Sequence, residues 1–203
     1  MAQNNTTNTI NLDKTCAEFG MNLLEFPKKL YEKANMIIKN SSNLNDFKIK
    51  NYSWTEEESK CQNFYSFNLI NPLKAVQGKI KNDDEFNKLK NKDTPLTFDP
   101  KIFETEITKA LGILVEDGPF AYMIWLKSQD KEPHRAMLIQ TARILKELKL
   151  IAEIATSENL KEKLENVFLG NIASDLTKTL FVKTILEKML TYARYKAKAM
   201  QHE

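Results

Sequence analysis

Residues 115–129, VEDGPFAYMIWLKSQ, combine two features that one helix cannot hold. A dense apolar run follows directly on Gly118-Pro119, the strongest helix-breaking pair in the chain. Gly adopts positive φ without steric cost and so ends helices well. Pro is tolerated in a first helical turn, where its missing N–H would have no partner anyway. The pair therefore predicts a corner, with one helix stopping at Gly118 and a second, over 119–129, leaving at an angle. Upstream, FDPKIFETEITKALGILVED supplies Asp99 as N-cap and Pro100 at the first helical position. Ile102, Ile107, Leu111 and Leu114 make the expected buried stripe of that helix.

The rest of the chain offers few breakers. It has 5 Gly and 6 Pro in 203 residues and is rich in Lys, Glu, Leu and Ala, a composition that favours helix over sheet. The predicted fold is all-α: a compact helical bundle of about five to six helices, with an N-terminal helix and a less regular insert. Residues 1–12 read as a flexible polar tail. Residues 13–39 read as a helix with Phe19, Leu23, Leu24, Leu30, Ala34 and Ile37 or Ile38 on one stripe and a kink or split at Pro27. Residues 40–98 read as an insert or linker, with a possible short helix capped by Ser53 or Thr55, an aromatic-rich strand or helix in CQNFYSFNLINPL, and one or two helical turns in KIKNDDEFNKLKNKDTP. Residues 99–203 read as the bundle. Its third helix spans HRAMLIQTARILKELKLIAEIA. A fourth, capped by Thr156 or Ser157, ends near Gly170-Asn171, and a last one starts at Ser174 or Asp175. Asn is concentrated before residue 92, where turns and caps are its natural places.

Several function classes find no support. A formal net charge of +3 excludes a grossly basic, histone-like chain and leaves room for a local basic face. Cys16 and Cys61 lack a C-x-x-C spacing and are read as reduced thiols; a structural zinc site is not expected. The N-terminus has no secretory pattern and no segment reaches membrane-spanning length, so a soluble, cytoplasmic protein is expected. No phosphate-binding loop, nucleophile elbow, zincin helix or calcium loop is present. Asp83-Asp84 has no nearby His and no third acidic group at helical spacing, whereas a metal-dependent nuclease would need convergent carboxylates. His134 and His202 read as surface residues. The expectation is a non-catalytic protein without cofactor or metal.

Charge placement carries more. At about 100° per residue, Arg135, Arg143, Lys146 and Lys149 fall within an arc of about 120° on the third helix. Met137, Thr141, Ile144, Leu145, Leu148 and Ala152 lie opposite, and Ile139 and Leu150 fall among the cations as exposed apolar contacts. The last helix sets Val182, Ile185, Leu186, Met189, Ala193 and Met200 on its buried stripe. Lys183, Arg194 and Lys198 share the far side with Glu187. Acidic residues, Glu158, Glu162 and Glu165, gather on the fourth helix. A solvated face would look the same on either helix alone. Two such faces in one small bundle suggest contact with a polyanion or with a protein; a polyanion would be met through its phosphates and without sequence readout. Phe120, Tyr122 and Trp125 belong to the core rather than to a base-stacking platform, and Tyr192 and Tyr195 beside Arg194 stay open.

ILVEDGPFAYMIWLKSQ resembles the signature of the small helical subunit of type III CRISPR effector complexes of the Cmr kind: an apolar helix, a polar-Gly turn at Glu116-Asp117-Gly118, and an apolar, aromatic-containing helix ending at Lys127. MLTYARYKAKAM is similar to that family's last helix through Arg194-Tyr195, Ala197, Lys198 and Ala199. The resemblance covers residues 13–39 and 99–200. It implies a non-catalytic subunit that lines the groove beside paired guide and target RNA and touches backbone subunits, the large subunit and other copies of itself. RNA-contacting residues would be Arg135, Arg143, Lys146, Lys149, Lys183, Arg194, Lys198 and Lys127. A protein-only helical adaptor or regulatory interaction protein is the alternative.

Overall fold

The computed structural model describes residues 11–50, 72–93, 95–151 and 160–203. Among them the chain forms nine α-helices, one π turn and no strand. The helices are α1 Leu12–Asn40, α2 Leu44–Ile49, α3 Pro72–Gln77, α4 Asp83–Lys90, α5 Pro100–Glu116, α6 Gly118–Ser128, α7 Glu132–Glu147, α8 Leu160–Val167 and α9 Leu176–Met200, with the π turn Phe168–Ile172 between α8 and α9. The all-α class stands, and the count of five to six helices is too low. The three extra helices, α2, α3 and α4, all lie in the 40–98 region. The proposed caps Ser53, Thr55, Thr156 and Ser157, most of the CQNFYSFNLINPL segment, Cys61, and residues 1–10 of the expected tail fall outside the described residues.

Local chemistry explains most boundaries. Asn11, Asn43 and Asn82 each accept a hydrogen bond from a backbone N–H of the first helical turn, at 3.1, 2.9 and 2.9 Å, and so start α1, α2 and α4. Asp99 and Asp175 do the same for α5 and α9. Pro27 does not split α1, which runs through it for 29 residues with the ring buried. At the corner Gly118 has φ +88°, and a Cβ there would meet nothing within 4 Å. The backbone conformation, not space, demands glycine.

The end of α7 is a correction. The apolar period extends it to residue 155, yet the helix stops at Glu147. Lys149 takes φ +56°. The Leu150 N–H donates to the Leu145 carbonyl at 2.9 Å, and the Lys149 N–H to the Lys146 carbonyl at 2.9 Å. This pair of bonds is a Schellman motif, with Lys where Gly usually stands. Leu150 folds back against the core, and its packing offsets the strain of a left-handed lysine.

α1 and α9 pack in parallel: Asp13 meets Lys188, Cys16 meets the Ile185 carbonyl, and Glu25 meets Lys196. They approach most closely at Gly20, where a Cβ would sit 2.4 Å from the Met189 carbonyl oxygen. α5 lies antiparallel to α9, with Lys183 donating to the Val115 carbonyl and Gln201 reaching Glu104. α7 fits against α1, α5 and α6. Val182, Ile185, Leu186, Met189, Ala193 and Met200 are all buried, as their spacing predicts. Each large one stabilises by about 1.5–3 kcal/mol over an exposed position. On α5 the stripe is corrected: Ile102 is 51% exposed and Phe103 is buried in its place. By helical geometry Ile102 lies about 120° from Leu114 and Phe103 only about 20°. Parts of 40–98 belong to the same core: Phe47 and Phe86 are buried and stack at 5.2 Å, and Asn35 holds the strap at Leu96 through both backbone groups.

Candidate nucleic-acid interface

The eight cations singled out in the sequence do not form one surface. On α7 the expected basic face is largely closed. Ile139 is fully buried and Leu150 half-buried, so neither is an exposed apolar contact. Arg135 pairs with Asp130 at 2.7 Å. Arg143 lies over the Phe19 ring, 5.3 Å from its centre, and donates to Gln140. Lys146 is half-buried in the last turn, and Lys149 lies beyond the helix. Arg135 and Lys146 are separated by about 16 Å along the axis. Lys127 is bound to Glu165 on α8, so acidic α8 is paired with a cation that the sequence assigned to RNA.

His134 is not a surface residue. It is 1% exposed, and its Nε2 lies 3.1 Å from Glu106 of α5. Burial holds its pKa below the ordinary value, against the opposing pull of Glu106. Burial raises the Glu106 carboxyl, but hydrogen bonds from Lys109 and Lys131 outweigh it and leave the group below its usual range. The Trp125 and His134 rings meet in a T-shaped contact, their centroids 4.7 Å apart. Nearby, Tyr31 donates to Glu132 at 2.8 Å, and burial raises that carboxyl. This cluster ties α1, α5, α6 and α7 together; a substrate would not reach its histidine. Tyr122 is buried and bonded to Thr141, and Phe120 and Trp125 pack on the core, as the run's apolar neighbours predict.

α9 keeps an open side. Phe181, Thr184, Lys188, Thr191, Tyr195 and Lys198 recur at steps of three and four residues and are all exposed. They form a strip of about 26 Å. Lys188 is held by Asp13 at 3.0 Å, which raises its pKa and lowers that of Asp13. Lys198 lies 3.7 Å from Glu104. Both lysines are exposed, and ion pairs made by exposed lysines exchange readily for other anions. Lys183 is occupied by the Val115 carbonyl and Glu187. Arg194 borders the strip with its Nε buried and without a hydrogen-bond partner. Tyr192 turns inward to Asp13, whereas Tyr195 is 65% exposed.

The sequence reading picked out Arg194 and Lys198 and missed Phe181, Thr184, Lys188 and Thr191. Their three-four spacing was legible. What the sequence does not show is which face of the helix stays uncovered. Basic groups interleaved with aromatic rings on a rigid helix can meet phosphates and stack on bases.

Among the described residues no three His, Cys, Asp or Glu groups could hold a metal ion, and no helix is long and apolar enough to cross a membrane. No family model matches the chain, no curated protein matches it in sequence, and no solved structure matches it in fold.

Proposed function

We propose that this chain is a non-catalytic small subunit of a type III, Cmr-type CRISPR effector complex, and that the outer face of α9 lies against the guide or target RNA backbone. The observation that carries the RNA contact is the open strip of α9, where the exposed cations Lys188 and Lys198 stand among the exposed rings of Phe181 and Tyr195. Lys188 and Lys198 would exchange their carboxylate partners for phosphates, and Tyr195 would offer a ring to an unpaired base. The Gly118 corner, on which the family resemblance rests, has the backbone geometry its sequence implies. Cytoplasmic location, and contacts with backbone and large subunits and with further copies, belong to the same reading.

Affinity purification of tagged protein from its host, with RNA sequencing, tests the assignment: repeat-derived guide RNA should accompany a multi-subunit set. In that complex, joint replacement of Arg194 and Lys198 by Ala should weaken target-RNA capture on the order of tenfold and flatten its salt dependence. Unchanged capture at physiological salt overturns the contact. Association with one protein, insensitive to salt and RNase, would make the chain an adaptor.

A further inference from the structure

The corner that turns α5 into α6 also opens a cleft of about 330 Å³. Its floor is apolar, built from Pro119, Phe120, Phe168 and Ile172, and its rim carries Glu116 and Asp117. Close in sequence to the lining residues are large apolar side chains in water: Leu176 is 74% exposed, Leu180 55%, Val115 53% and Leu169 49%. Leu176 and Leu180 share a helical face with Thr179 and Lys183, which line the cleft. Such a concentration of exposed apolar groups around one cavity marks a contact surface.

The charges say what kind. Lys183, the one cation among the described residues that line the cleft, is taken up by the Val115 carbonyl and by Glu187. Glu116 and Asp117 are exposed where α5 ends and α6 begins. With Glu187 set against Lys183, Glu116 and Asp117 leave the rim with an excess of negative charge over an apolar floor. Phosphates would be repelled there, whereas a Lys or Arg next to an apolar side chain satisfies both features.

We propose that the Gly118 corner is a docking cleft for a protein segment that carries Lys or Arg within a helical turn of an apolar anchor. The anchor occupies the cavity, and the cation meets Glu116 and Asp117. This goes beyond the RNA reading and does not rest on it, because it involves the opposite charge and a different set of residues. The cleft and the RNA strip lie on neighbouring parts of α9, so one helix would join a protein contact at its start to an RNA contact further along.

A photo-crosslinking p-benzoylphenylalanine at position 180 of the full chain, expressed in its host and irradiated, tests this directly. The expected adduct is a defined segment of a different protein with Lys or Arg within four residues of the attachment point. The near-isosteric E116Q/D117N variant should lower adduct yield at least fivefold. Changing the partner's Lys or Arg to Glu should abolish the adduct, and E116K/D117K should restore it. Adducts to nucleic acid or to another copy of this chain, no adduct, or a yield indifferent to E116Q/D117N would each overturn the proposal. The R194A/K198A variant, which reports on the RNA contact, should leave the adduct in place.

Discussion

α7 and α9 look alike as sequences. Each sets an apolar stripe opposite Lys and Arg, and each invites the description of a helix with one buried and one basic face. In the fold they part. α7 is sandwiched by α1, α5 and α6, so Ile139, on its supposed outer side, is fully buried, and its arginines are spent on Asp130 and on the Phe19 ring. α9 packs on α1 and α5 but keeps an exposed strip from Phe181 to Lys198. A helical wheel says which residues share a side. Whether a second layer covers that side depends on partners distant in the chain.

The largest test of this contrast is Ile139→Ala. A buried isoleucine should cost about 2–5 kcal/mol in urea denaturation. A loss below about 0.5 kcal/mol would return that side of α7 to the surface. Gly118→Ala should cost about 1–2 kcal/mol, because alanine must be held in left-handed backbone with no new contact to repay it. A neutral result would mean that the corner tolerates a different backbone.

The pH dependence sharpens the contrast through the buried cluster. His134 has a depressed pKa in the fold, so the unfolded chain binds its proton first. Stability should fall as pH drops below the unfolded histidine value of 6.5. Glu106, also depressed, adds a loss below the unfolded value of 4.5. Glu132 is raised and acts in the opposite sense, its contribution falling as pH rises from 4.5 through its folded value. His134→Gln should remove the histidine part of the profile. An unaltered profile between pH 5 and 7 would show that the imidazole is not shielded in solution. The smallest expected effect is at the strip: Thr191→Ala should change stability by less than about 0.5 kcal/mol, and a larger loss would mean that α9 is covered as α7 is.

Much was legible from local chemistry. Asp99-Pro100, Gly118-Pro119 and Asp175 marked helix boundaries because caps and breakers act through neighbouring backbone. The α9 stripe was legible because a regular period survives any arrangement that buries it. The end of α7 was not, because no Gly or Pro announces it. Leu150 turns back onto the core, and that packing holds Lys149 in a conformation its own type disfavours. Nor was the role of His134 visible, since Glu106 lies 28 residues away in sequence. Gly20 carried no signal either, because the Met189 carbonyl that forbids a side chain there comes from the other terminal helix.

The sequence by itself determined the helical class, the corner and the buried stripe of α9, because propensity, capping and periodicity act within a few residues. Only the tertiary structure decided which cations are already paired, which apolar residues stay in water and which helix keeps an open face. Those outcomes depend on groups brought together from opposite ends of the chain, and burial exists only once they meet.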